Sequence, residues 1–474
     1  MFLSSLDSPP VKPPHSLAPD HWNTGLLSAP AGHMAGADDG FNISPIRSLA
    51  LETLEEIIAF MPPETHLALC LVSKLLYGLS VRSIYRDVLL RSPSAVVKCC
   101  RTVAKNRLVA SAVRRFKILY TPSDAPRFSS YYSVIEQALQ RMNHVQDLVL
   151  LVADSRYISV LTRCSFPRLG HFECCLSLDD IMVSFLNRHL HIRYLQLGAH
   201  ENVPHSKHPI VTLPKLEYFI GNNSCVAPLL RGASLRAAFI TWDAVGEPME
   251  DSIAALERSS TDTLNMLSCR RYGWNIDLLD RISTHLPHIY ALSLTNLFVM
   301  DLVPTLPGDL EAVGHCLSRF SSLQRLAINC LNAWKPNEQP VVDMDHAFEM
   351  VTAWGQACSS LVECTLPPSH EIKWVRVCDN LWLPDLSHPD STRWIWDMLH
   401  FNRYPGWDRI VDSVRSGEIE CSSGGAPLSG SHSRLVALRD AAVLREYQAN
   451  DEEIENLSLI RLGGAGWRVD GDDG

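Results

Sequence analysis

Reactive chemistry is scarce in this sequence. Its fourteen cysteines include no Cys-x-x-Cys pair, so the thiolate spacing of a zinc site is missing. No Gly-x-Ser-x-Gly elbow occurs, and no Gly-rich loop ends in Lys-Ser or Lys-Thr. That removes the common signatures of serine hydrolases and of P-loop nucleotide binding. Basic charge is short as well: 42 Lys and Arg stand against 52 Asp and Glu, a net charge of −10. A binder of nucleic acid or of anionic membranes should carry a basic face. No apolar run approaches the ~18 residues of a membrane helix. The opening MFLSSLDSPPVKPPH has neither a basic n-region nor an apolar h-region, so it does not read as a secretory signal. Without a signal, the sequons at Asn42, Asn222 and Asn456 read as chance. Cysteines in apolar company, such as Cys70, Cys174 and Cys364, read as reduced core residues. The expectation is a cytoplasmic and/or nuclear protein with no cofactor, no metal, no nucleic acid and no membrane contact.

Histidine and acidic residues add no catalytic constellation. His205 and His208 are three apart, but Pro204 and Pro209 mark that stretch as a loop. His189 and His191 read as structural, and His370-Glu371 lacks the second histidine of a zinc-protease helix. Gly463 to Gly466 has no helix pattern after it. Asp451 to Glu453 and Asp470 to Asp473 read as parts of a solvated tail.

What the chain does have is apolar content, 46% against 20% charged, and length for two or more domains. Residues 1–42 carry repeated prolines and no sustained period, which predicts a disordered leader. Residues 43–90 change abruptly to a dense apolar segment. Leu51, Leu54, Ile58 and Met61 form one helix face, with Glu52, Glu55 and Glu56 near its start. Pro62-Pro63 ends that piece. Thr65 is expected to cap a second piece with Leu67, Leu71 and Leu75 in a stripe, which Gly78 stops. Ser80 then caps a third, with Val81, Ile84, Tyr85 and Val88 inward. A three-helix unit this short cannot hide all of that apolar surface, so it needs a partner in trans or from the region behind it.

The run from Leu49 to Ile58, the proline turn, the run from Leu67 through Leu71-Val72-Ser73-Lys74, and Ile84 to Val88 resemble an F-box. That family's pattern is Leu-Pro-x-Glu-Leu-Leu-x-x-Ile, a turn, and an apolar stripe ending in Leu-Val-Ser/Cys-Lys/Arg, with an aromatic near the third helix. Ala50 stands where the family usually has proline, and Thr53 where an apolar residue is common. The resemblance implies docking on the Skp-type adaptor of a cullin–RING ubiquitin ligase. The residues matching contact and core positions are Leu49, Leu54, Ile57, Ile58, Leu71 and Val72. The alternative is a plain helical hairpin packed on the domain behind it.

From about residue 110 a beat recurs: apolar, two residues, apolar, one residue, apolar. Examples are Val145/Leu148/Leu150, Leu169/Phe172/Cys174, Ile192/Leu195/Leu197 and Ile289/Leu292/Leu294. From Val145 to Ile289 the beats are separated by 24, 23, 24, 19, 29 and 25 residues, within the period of leucine-rich repeats. Later spacings of 34 and 38 imply insertions. Between beats the period turns helical, as at Ile276/Leu279/Ile282/Leu286 and Phe348/Val351/Trp354. Pro167, Pro214 and Pro287 stand where a helix would hand over to a strand. Units of this kind bury their apolar faces by stacking.

The expected fold class is therefore α/β: a three-helix F-box-like unit over 43–90, then a degenerate leucine-rich-repeat solenoid over 91–385. A generic α/β sheet would give similar alternation. An aromatic cap is expected over 386–419, around Trp394, Trp396, Met398, Phe401 and Trp407. A linker and mostly disordered acidic tail follow over 420–474, with one helix near 434–447.

A solenoid's function sits on its strand face. The residue between the last two apolar positions of each beat should be exposed there. This selects Glu173, Gln196, Ile220, Phe239, Ser268, Ser293 and Thr365 as the target-binding row, with Val149 and Ala327 in the same position. Only one is charged, which suits an apolar or mixed protein surface. The expected function is that of a substrate-recognition subunit of an SCF-type ubiquitin ligase. It would hold the adaptor, and through it the cullin, with the F-box-like segment, and a protein target with the repeats. It would form no bonds itself. The alternative is a leucine-rich-repeat scaffold or interaction module outside any ligase.

Overall fold

The computed structural model describes residues 49–120, 128–152, 154–198, 211–242, 249–259, 263–271, 276–296, 306–330, 343–366, 372–378, 381–385 and 389–400. They form a mixed α/β protein, and the chain divides into two compact units, Met1–Val145 and Gln146–Gly474. The leader, the tail helix near 434–447, and Phe401 and Trp407 of the expected cap lie outside the described residues, as do His205, His208 and His370.

The first unit begins with α1 (Leu51–Ala59), α2 (Pro63–Leu69) and α3 (Lys74–Arg86). It continues through β1 (Asp87–Leu90), α4 (Pro93–Lys105), α5 (Arg107–Ala112), β2 (Arg115–Leu119) and α6 (Ser129–Leu139). The helix boundaries correct the reading from sequence in three places. Thr65 caps nothing, because α2 starts at Pro63, whose missing N–H is no loss at a first helical position. Gly78 does not stop a helix and Ser80 does not cap one. Ser73 is the N-cap, its hydroxyl accepting from the Leu76 N–H at 3.2 Å, and α3 runs through Gly78. A mid-helix glycine costs about 1 kcal/mol. Burial of Leu76 and Leu79 beside Leu54 and Ile58, at about 1.5–3 kcal/mol per side chain, outweighs it. Val88 belongs to β1, not to a helix. It pairs in parallel register with Phe116, as Leu90 does with Ile118. Tyr85/Val88/Leu90 carries the same beat as the later strands, the signal that would have found this strand.

The second unit repeats strand and helix. Its strands are β3 (Asp147–Leu151), β4 (His171–Cys174), β5 (Tyr194–Leu197), β6 (Tyr218–Asn222), β7 (Ala237–Trp242), β8 (Met266–Arg271), β9 (Ala291–Asn296), β10 (Arg325–Cys330) and β11 (Glu363–Thr365). The helices between them are α7 (Tyr157–Leu161), α8 (Asp180–Asn187), α9 (Val226–Leu229), α10 (Met249–Ser259), α11 (Ile276–His285), α12 (Leu306–Leu317) and α13 (Met344–Ala357). Every strand from β3 to β10 pairs in parallel with the next in chain order. The beat sets the register: Leu148, Phe172, Leu195, Phe219, Ala238, Leu267, Leu292, Leu326 and Cys364 lie across from one another. All nine are buried. Parallel neighbours joined by crossovers of one hand place their helices on one face, and the buried row marks that face.

A backbone device recurs at the strand entrances. The N–H groups of Gly170 and His171 both donate to the Gln146 carbonyl, and those of Arg193 and Tyr194 to Gly170. The same two-to-one bond repeats onto the carbonyls of Arg193, Glu217, Arg236, Asn265, Tyr290 and Gln324. The order then changes. Strands β12 (Lys373–Cys378) and β13 (Leu381–Pro384) add in antiparallel fashion to β11, a turn-back that the sequence reading did not contain. The run Leu381-Trp382-Leu383-Pro384 has no alternation because all four residues are buried. Helix α14 (Pro389–His400) follows. Its Trp394 ring lies 5.4 Å from Phe348 and 5.3 Å from Trp374, and its Nε1–H donates to Asp345 at 2.7 Å. Trp394 and Met398 are buried.

Candidate functional site

The first candidate surface is the outer side of α1–α3. Fourteen large apolar side chains are exposed among the described residues, and eight of them fall between Leu49 and Leu75. Helix α1 turns Leu54 and Ile58 inward, where they meet Leu76 and Leu79, with Leu69 packed against them. His66 fixes the α1–α2 turn through a 2.6 Å bond between its Nε2 and the Ile58 carbonyl. Glu55 and Arg82 tie α1 to α3 at 2.5 Å on the exposed side. Leu49, Leu51, Ile57, Phe60, Leu67, Leu71, Val72 and Leu75 are exposed.

Of the six residues matched to the F-box pattern, the structure separates two groups. Leu54 (6% exposed) and Ile58 (2%) are core residues of the helical unit and are not available at its surface. Leu49, Ile57, Leu71 (89%) and Val72 (67%) are exposed. Four exposed neighbours, Leu51, Phe60, Leu67 and Leu75, were not selected by the motif. Leu51 corrects the reading from sequence, which placed it on one face with Leu54 and Ile58: it is 43% exposed while they are buried.

The second candidate surface is the helix-free face of the sheet in the second unit. Residues chosen as the middle row of each strand do form one row. Val149 lies opposite Glu173, Glu173 opposite Gln196, and Gln196 opposite Ile220. The row continues through Phe239, Ser268, Ser293, Ala327 and Thr365. Glu173, Gln196, Ile220, Phe239, Ser293 and Thr365 are half-buried, as befits a sheet face without covering helices. Ser268, at 7% exposed, is buried and offers little to a ligand. Val149 is buried too.

Two more rows share this face, because side chains two apart in a strand point the same way. Towards the strand starts lie His171, Tyr194 and Tyr218, again in register. The His171 and Tyr194 rings stack at 4.1 Å with 9° between their planes, and Tyr218 follows at 6.5 Å. His171 Nε2 is 2.5 Å from a Glu173 carboxylate oxygen, and the Tyr194 hydroxyl donates to Gln196 at 3.3 Å. Burial, helped by the Glu173 carboxylate, pushes the Tyr194 phenol up to about 12, so it stays a neutral donor. The reading from sequence missed this aromatic ladder by taking only one position per beat, although period-2 alternation reveals it. Towards the strand ends lie Asn222, Thr241, Arg270, Thr295 and Asn329, a polar row.

The free cysteines are buried or half-buried. Burial raises the Cys174 and Cys269 thiols to about 12, far from thiolate chemistry at neutral pH. Among the described residues, no group of three or more His, Cys, Asp or Glu could hold a metal ion. No helix among them is long and apolar enough to cross a membrane. No protein-family model matches the chain, and no curated protein matches it.

Proposed function

We propose that this chain is a substrate-recognition subunit of an SCF-type ubiquitin ligase. Helices α1–α3 act as an F-box-like dock for the Skp-type adaptor, and the helix-free sheet face holds a protein target. The observation that carries the reading is the concentration of exposed apolar side chains on α1–α3. Covering an apolar side chain such as Leu71 is worth about 1.5–3 kcal/mol, and eight exposed large apolar side chains within one short segment favour an interaction site there. The beat in register from β3 to β11 supports stacked repeats, as does the repeated two-to-one bond at the strand entrances. Catalysis belongs to the rest of the ligase; this chain works by bringing a target near it.

The test is co-purification of the full chain with the adaptor. Val72 is 67% exposed, so Val72→Glu leaves the fold intact and places a charge on the dock. The variant is expected to lose the adaptor while keeping its melting temperature; equal recovery would remove this surface from the proposal. A second reading has one observation in its favour. Helix α3 also packs on α5 of the same unit, as it would if α1–α3 only capped a repeat scaffold. Deleting residues 43–90 then gives an insoluble chain rather than a soluble one that lacks the adaptor.

A further inference from the structure

We propose that the β4–β7 part of the strand face reads an extended segment of the target carrying a Lys or Arg, with an apolar residue about four positions away. This rests on the reading of that face as the target site and adds the chemistry of its occupant. Charge complementarity points to the cation. In the first and middle rows, from β3 to β9, the carboxylates are Asp147 and Glu173, and no Lys or Arg occurs; the first arginine of those rows is Arg325 on β10. Two arginines at the strand entrances, Arg193 and Arg236, flank Glu217 at 3.9 and 3.8 Å and are held to the entrance edge.

The ladder supplies the other half of a cation site. The Tyr194 and Tyr218 ring centroids are 6.5 Å apart with their planes tilted by 32°, Tyr218 is the exposed ring of the two, and a guanidinium or ammonium over an aromatic face is attracted by the ring quadrupole. Glu173 stands beside them, its side chain only 19% exposed. His171 Nε2 lies 2.5 Å from this carboxylate, so the imidazole belongs to the same site. A half-buried carboxylate is screened less by salt than an exposed one, so it discriminates against acidic segments. Beyond β5 the middle row turns apolar, with Ile220 and then Phe239. From β4 to β7 is three strand spacings, about 14 Å, which an extended chain covers in about four residues.

The experiment is selection of a phage-displayed library of random short peptides on the immobilised full chain, repeated on Glu173→Gln and Tyr194→Leu. Glu173→Gln is isosteric, Tyr194→Leu replaces the ring by a smaller apolar side chain, and thermal melts check that each variant folds. Enrichment of Lys or Arg about four residues from Leu, Ile, Met or Phe is expected. Binding of the selected peptides should weaken about tenfold in either variant and fall with added salt. Enrichment of acidic peptides, peptides indifferent to both substitutions, or no enrichment at all each overturn the proposal. Adaptor capture by the same wild-type preparation separates the two levels. A chain that captures adaptor yet fails the selection refutes the cation site alone. A chain that selects cationic peptides without capturing adaptor refutes the ligase reading alone.

Discussion

His189 should make the second unit lose stability as the pH falls. It lies just after α8 and is 3% exposed. Both of its ring nitrogens are used. Nδ1 is 2.6 Å from the Phe185 carbonyl and must donate to it, while Nε2 accepts the Phe166 N–H at 2.9 Å. The rings of Phe185 and Phe166 lie 4.3 and 5.8 Å away. This arrangement fits one neutral tautomer. A second ring proton would sit on Nε2 and face the Phe166 N–H, two donors against each other. Burial lowers the His189 pKa, the bond to Phe185 opposes that, and the Arg188 charge adds to the lowering.

A histidine whose folded pKa is depressed is protonated more readily in the unfolded chain. Its contribution to stability is complete above the unfolded value, about 6.5. It is lost as pH falls from there through the lower folded pKa. In His189→Phe the Phe185 carbonyl keeps the Arg188 N–H at 3.1 Å, but the Phe166 N–H loses its acceptor. A buried donor left unmade costs about 1–3 kcal/mol, or roughly 2–10 °C in melting temperature for a unit of this size. Melts of wild type and His189→Phe from pH 8 to pH 5 provide the assay, and their difference isolates this residue from the other histidines. The variant should melt lower at pH 8, with the gap narrowing below pH 6.5. A gap independent of pH, or a variant as stable as wild type at pH 8, would refute the tautomer and burial argument.

Two backbone substitutions in the first unit test the local reading of α1 and α3. A Cβ added at Gly78 meets nothing within 4 Å, so Gly78→Ala should stabilise α3 by about 0.5–1 kcal/mol in urea unfolding; a loss would mean that α3 does not run through this position. Ala50 has φ −59° and ψ 148°, inside the range that proline imposes. Ala50→Pro should therefore fold normally and gain about 0.4–1 kcal/mol through the unfolded chain. It also restores the residue usual in the resembled pattern, so adaptor capture should rise or hold; a destabilised variant would show that the Ala50 N–H is needed.

Periodicity made the core of the second unit legible and left its ends unread. The beat named the buried residue of each parallel strand, since a side chain every second residue must fill the same layer. It failed at Leu381–Pro384, where a strand buried on both faces shows no alternation. It also passed over Val88 and Leu90, because helix α3 runs directly into β1 and the apolar steps at Ile84, Tyr85 and Val88 fit a helical period equally well. Gly78 misled for a different reason. Propensity ranks glycine as a breaker, but the cost is small beside the burial of Leu76 and Leu79. Of the two candidate surfaces, the middle row could be named residue by residue. The His171–Tyr194–Tyr218 ladder lies two residues before that row on consecutive strands and was open to the same alternation, but taking one position per beat passed it over.

The exposed apolar residues between α2 and α3 are held in place rather than frayed. The N–H groups of Cys70, Leu71 and Val72 donate to the carbonyls of His66, Ala68 and Leu69, and Ser73 then caps α3. Leu71 and Val72 thus sit on a hydrogen-bonded turn whose backbone is already ordered. Ordering a loop on association costs free energy that a preformed turn has largely met during folding. Such a turn has no need of two outward apolar side chains for its own stability, since its bonds are backbone to backbone and the core beneath is filled by Leu54, Ile58, Leu76 and Leu79. What Leu71 and Val72 supply is surface, and on the proposed reading polar substitution there should leave the melting temperature unchanged while abolishing adaptor capture.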